Sequence, residues 1–126
     1  MSLAATANMA DVKAAALSKA TIRAAQKLGL RNRVLASVIG LSEATISRMS
    51  KDDFVLSHDS KSFELSAMFV RLFRGLDAIV GGDETVAKAW LANPNTALGD
   101  APVNLIQSVT GLVNVVQYLD SRRARI

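Results

Sequence analysis

The residues best suited to chemistry crowd into the stretch Arg31 to Lys51, and a glycine divides it. Ala36 is small where two helices would cross closely, and Gly40 stands where a turn needs a left-handed residue, which costs any residue with a Cβ. Leu35, Ile39, Leu41, Ile46 and Met49 fall where such a pair of helices needs a shared core. This spacing fits a helix-turn-helix. With its second helix in a major groove, Ser42, Glu43, Ala44, Ser47 and Arg48 would face bases, and Thr45 and Lys51 the sugar-phosphate backbone. Arg48 is the best reader, since a guanidinium can pair two ways with guanine. Arg31, Arg33 and Lys27 would neutralise phosphates, and operator DNA is the expected partner. An ordinary corner between two helices would share part of this pattern, though not over so many positions.

Charge agrees with that placement. Residues 1–51 carry eight Lys/Arg against Asp11 and Glu43, a balance of +6, while residues 52–126 carry seven against nine, a balance of −2. A polyanion therefore belongs on the first half and not the second.

Other chemistries find little to work with. The sequence has no cysteine and a single histidine, His58, so a thiolate or histidine metal cluster is not expected. It carries no glycine-rich phosphate loop and no nucleophile elbow. Asp52-Asp53 are neighbours in the chain, and adjacent residues do not face one another. His58-Asp59 reads as a solvated pair at a helix start. Neither enzymatic activity nor a cofactor is expected.

A second conspicuous stretch is Trp90-Leu91-Ala92-Asn93-Pro94-Asn95, followed by Leu98-Gly99-Asp100-Ala101-Pro102. Asn93-Pro94 ends a helix, because the residue before proline is pushed out of the α region. Pro102 restarts one, because its fixed φ suits a first helical turn. Leu98 alone pins the span between them. A loop so defined at both ends presents a fixed shape, with Asn93 and Asn95 placed to cap its backbone groups. Trp90, at helical spacing, reads as a core residue.

These stretches need helices to carry them. Half of the 126 residues are hydrophobic but only 5% are aromatic, which favours helix packing over strands. Residues 1–9 read as a flexible N-terminus. A helix follows from Ala10 to Leu28, with Val12, Ala16, Ile22, Ala25 and Leu28 as its apolar positions. Short helices should cover Asn32 to Val38 or Ile39, and the residues after the cap Ser42, with Glu43 at the positive helix end. Asp59 or Ser60 opens the longest helix, to about Val80, whose wide stripe (Phe63, Ala67, Val70, Phe73 and Leu76 at its centre) implies burial on more than one side. Gly81-Gly82 end it. Asp83 caps a helix over Glu84 to Ala92 that should turn Val86, Ala89 and Trp90 inward. Pro102 to Thr110 and Leu112 to about Arg122 read as two last helices separated by Gly111. The expected organisation is a DNA-binding region over 10–56 and a dimerisation and partner-binding region over 57–126. No apolar run is long enough for a membrane span and no signal-peptide pattern precedes one, so a soluble cytoplasmic protein with no membrane partner is expected.

The segment Leu35 to Lys51, Leu56-Ser57-His58-Asp59, the run from Trp90 to Pro102, and Gly111 with Val115 or Val116 and Leu119 together resemble the Xre/MbcA/ParS antitoxins. The resemblance spans about residues 20–126. It implies an all-α fold, an Xre-like helix-turn-helix bundle followed by a long helix and a C-terminal toxin-binding domain. It implies an antitoxin that forms a homodimer or higher oligomer, represses its own operon, and occludes the active site of a cognate RES-type toxin that consumes NAD or transfers ADP-ribose. Carried onto this chain, toxin contact falls on Asn93, Pro94, Asn95 and Leu98 and on the tail residues Arg122, Arg123, Arg125 and Ile126. The tail is short and basic beyond Leu119, where arginines also suit the negative end of a helix dipole. The alternative reading is a stand-alone Xre-family regulator whose C-terminal half only oligomerises.

Overall fold

A computed structural model describes the backbone of residues 2–123, with side chains from Met9 onward. It contains seven helices: α1 (Ser2–Lys27), α2 (Asn32–Ile39), α3 (Glu43–Ser50), α4 (Lys61–Ile79), α5 (Glu84–Ala92), α6 (Pro102–Leu105) and α7 (Val109–Arg123). The described residues pair as strands nowhere except at one isolated bridge, Asn95 to Asp100. The fold is all-α.

Local chemistry sets most of the helix ends. Ser42, Ser60 and Asp83 each take an extended backbone conformation before α3, α4 and α5. Their side-chain oxygens accept the N–H groups of Thr45, Phe63 and Val86, which no residue inside the helix could satisfy. Gly40 closes α2 at φ 74°, as the turn required.

α4 is the spine. It packs against α1, α2, α5 and α7. Ser66, Phe69, Val70, Leu72, Gly75 and Leu76 are buried along it; of the residues expected at the centre of its stripe, Val70 and Leu76 are buried, Phe63 and Phe73 are half-buried and Ala67 is exposed. Phe69 is fully buried, and removing such a side chain from water contributes roughly 2–3 kcal/mol. One cluster of buried residues joins α1 through α5 and α7, with Leu56 and Ile106 from the connections.

Several sequence expectations are corrected. α1 starts at Ser2, not Ala10, and its 26 residues exceed the 19 of α4. Val12 and Ala16 lie outside, whereas Ala14, Ser18, Thr21, Ala24, Ala25 and Leu28 are buried. A hydrophobicity count passes over Ser18 and Thr21, yet each satisfies its hydroxyl on its own helix, at the Ala14 and Leu17 carbonyls (2.7 and 2.8 Å). Ser18 also accepts the Leu56 N–H at 2.9 Å, which fastens the segment after α3 to α1. On α5 the inward residues are Ala87 and Leu91; Val86 and Ala89 are exposed, and Trp90 is half-buried.

The last break falls at Ile106–Ser108, not at Gly111. The Ser108 hydroxyl accepts the Gly111 N–H at 3.1 Å and so starts α7 before that glycine. Gly111 lies inside α7, at a position where any Cβ would collide with the Leu105 carbonyl oxygen. Val109, expected on the apolar face, is 60% exposed, and the buried residues of α7 are Gly111, Leu112, Val115, Val116 and Leu119.

Candidate nucleic-acid and protein interfaces

The helix-turn-helix is built as its spacing implied. Leu35, Ala36, Ile39, Ile46 and Met49 are buried together, with Leu41 half-buried against them. Ser42, Glu43, Ala44 and Arg48 are exposed along α3, Thr45 and Ser47 are half-exposed, and Lys51 is exposed at the C-terminal cap. Arg31 occupies the N-cap position of α2 without a side-chain hydrogen bond there, and Arg33 is exposed in its first turn. The ion pairs among the described residues are His58–Asp59, Lys61–Glu64 and Arg71–Asp120, and none of them involves Arg31, Arg33, Arg48 or Lys51. Lys27 is exposed as well, with its ammonium 5.9 Å above the centre of the Phe73 ring on α4.

Three side chains on this face of the helix-turn-helix are linked. The Ser42 and Thr45 hydroxyls are 2.9 Å apart, and Arg48 Nη2 donates to Thr45 Oγ1 at 3.2 Å. Thr45, assigned from sequence to the DNA backbone, accepts from the arginine beside it. Phe54 was not among the residues singled out from sequence. Its ring lies 6.0 Å from the Arg48 guanidinium carbon.

The loop after α5 is held by Asn95. Its Oδ1 accepts the N–H groups of Ala97 and Leu98 (3.0 and 3.2 Å), and its backbone N–H donates to the Asp100 carbonyl at 3.2 Å. Asp100 Oδ1 in turn accepts from Asn104 Nδ2 at 3.2 Å, which ties the loop to α6. Leu98 is half-buried against the core, as its isolation implied. Asn93 and Pro94 are exposed, and among the described residues the Asn93 side chain caps nothing.

Beside this loop is an open groove of about 310 Å³ lined by Val86, Ala89, Trp90, Asn93, Pro94 and Asn95. Trp90 therefore packs against the core with part of its ring and lines this surface with the rest. Its far side stacks on Tyr118 of α7, with ring centres 6.3 Å apart and planes 20° apart. Arg122 continues the ladder, its guanidinium 5.6 Å over the Tyr118 ring and its Nη1 donating to the phenol oxygen at 3.3 Å. The sequence signal for this surface was available: Val86, Ala89 and Trp90 are spaced three, four and one apart, so they share a helix side that Ala87 and Leu91 do not. Arg123 is exposed, with its side chain next to Gly75 where α4 and α7 cross. Arg125 and Ile126 lie outside the described residues.

Among the described residues no group of three or more potential metal ligands is assembled, and no helix is long and apolar enough to cross a membrane.

No curated protein matches the chain. Two family models do. Residues 8–71 match the antitoxin Xre-like helix-turn-helix domain, and residues 75–125 match the antitoxin Xre/MbcA/ParS C-terminal toxin-binding domain. The first covers α2, α3 and their exposed cations, and the second covers the Trp90 groove, the Asn95 loop and α7. With both modules in this order on one bundle, the chain belongs to the Xre/MbcA/ParS antitoxin family.

Proposed function

We propose that this antitoxin neutralises a RES-type toxin, one that consumes NAD or transfers ADP-ribose, by occluding its active site, and that it represses its own operon through the helix-turn-helix. The observation that carries the reading is that the bundle offers two separate exposed surfaces. One has uncompensated cations around α2 and α3; the other is apolar and rigid around Trp90 and Asn95. Electrostatics supplies the affinity of the first and base edges its specificity. A half-buried indole beside a preformed loop suits the second, because aromatic anchors in ordered surroundings dominate protein interfaces.

In this reading Arg31 and Arg33 hold phosphates, Ser42, Glu43, Ala44, Ser47 and Arg48 face bases, and Thr45 and Lys51 lie by the backbone. The toxin meets Asn93, Pro94, Asn95 and Leu98, with Arg122 and Arg123, and then Arg125 and Ile126, entering a cleft made for dinucleotide phosphates. Two half-sites about one helical turn apart require a homodimer or a higher oligomer.

Co-expression with the product of the adjacent reading frame tests the proposal. The neighbour should arrest growth alone and be captured by this chain when co-expressed. Trp90→Asp should abolish capture and leave promoter binding intact, while Arg48→Ala should do the reverse. A neighbour that is neither toxic nor captured would leave only a regulator.

A further inference from the structure

Phe54 follows Arg48 by six residues, and the chain doubles back to bring them together. The N–H groups of Lys51 and Asp53 both donate to the Arg48 carbonyl, at 3.1 and 2.8 Å. Between them Asp52 takes φ 60°, a left-handed conformation that aspartate tolerates better than most residues. This turn lays Phe54 half-buried on the core with its ring beside Arg48. Two residues later the Leu56 N–H is anchored on buried Ser18. The ring is thus fixed by the fold, although Arg48 itself stands in solvent. On another side, Thr45 Oγ1 accepts one guanidinium N–H and is itself in contact with the cap residue Ser42.

We propose that Phe54 is a positioning residue, which together with the Thr45 hydroxyl holds the Arg48 guanidinium ready for the edge of a guanine in the major groove. This rests on the DNA-binding reading above and adds to it the device that orders the reader. A free arginine loses most of its rotamer freedom when it pairs, and an arginine held beforehand loses less. The ring, 6.0 Å from the guanidinium carbon, takes none of its N–H donors. Thr45 takes one of its five N–H donors, so the outer edge keeps enough for the N7 and O6 of guanine. The phenyl ring has no hydrogen-bonding group of its own. Its influence on sequence preference must therefore pass through the arginine.

The probe is a duplex that the full-length wild-type protein selects from a randomised pool, compared with a scrambled duplex of equal length. Phe54→Leu should weaken binding to the selected duplex about 2- to 5-fold, the range expected for an exposed cation–π contact, and leave the scrambled duplex unaffected. The slope of affinity against salt should not change, because no phosphate contact is lost. Phe54→Tyr should restore the wild-type value, and Phe54→Leu should add nothing once Arg48→Ala is present. Equal weakening on both duplexes, or no weakening while Arg48→Ala does weaken binding, overturns the role of Phe54 and leaves the DNA-binding reading standing. Failure to select any duplex overturns both. Should Phe54→Leu lower the melting temperature, Phe54→Met, which keeps apolar volume without a ring, is the second probe: a loss on the selected duplex that vanishes in the Arg48→Ala background supports the holder, and no loss refutes it.

Discussion

At the scale of single residues, two positions on α4 and α7 have their roles written in what surrounds them. Ser66 is fully buried, and its hydroxyl has no hydrogen-bond partner among the described residues. A buried donor left without a partner costs more than the bond it could have made. Ser66→Ala should therefore leave stability unchanged or raise it by up to about 1 kcal/mol, measured by urea unfolding. Gly111 is the opposite case. Its absent side chain lets the first turn of α7 lie on the Leu105 carbonyl. Backbone cannot yield as a flexible side chain does, so Gly111→Ala should cost roughly 1–3 kcal/mol by thermal denaturation, against the small gain that alanine gives in an ordinary helix.

At the scale of elements, the α5 helix and its loop are held from two sides, by the Trp90–Tyr118 stack and by the Asn95 hydrogen bonds. Asn95→Ala removes the acceptor for two backbone N–H groups. It should cost about 1 kcal/mol of stability, with a larger proportional loss in toxin capture because the loop is no longer preformed. Trp90→Ala should cost less than the 3–5 kcal/mol expected of a buried indole, roughly 1–2 kcal/mol, because the ring is only half-buried. A melting temperature close to wild type together with lost capture would place the indole in the interface.

At the scale of the whole molecule, the two family matches meet between residues 71 and 75, inside α4. Gly75 lies at the crossing with α7, and Leu65 approaches the Gly40 turn of the helix-turn-helix. The DNA-binding and toxin-binding halves thus share one helix and one buried cluster. Unfolding should be a single transition, with helical and tryptophan signals coincident, and a fragment ending at residue 74 should not fold. Two separated transitions would show that the halves are independent.

The amino-acid order by itself determined what is settled within a turn or two of chain. The caps Ser42, Ser60 and Asp83 and the Asn95 turn depend on a side chain meeting backbone groups a few residues away, and the stop at Gly40 on a backbone conformation that glycine takes without strain. The helix-turn-helix core was legible for the same reason, since its spacing is local. Tertiary structure decided which faces turn inward. Val12 and Val86 are apolar yet stay outside, while Ser18 and Thr21 go in, because burial depends on what the partner helix offers and not on hydropathy alone. It also decided that Gly111 sits within a helix, that Trp90 lines a groove, and that Phe54 lies against Arg48. Each of these depends on an atom contributed by another part of the fold, and spacing along a chain carries no record of a neighbour that only packing supplies.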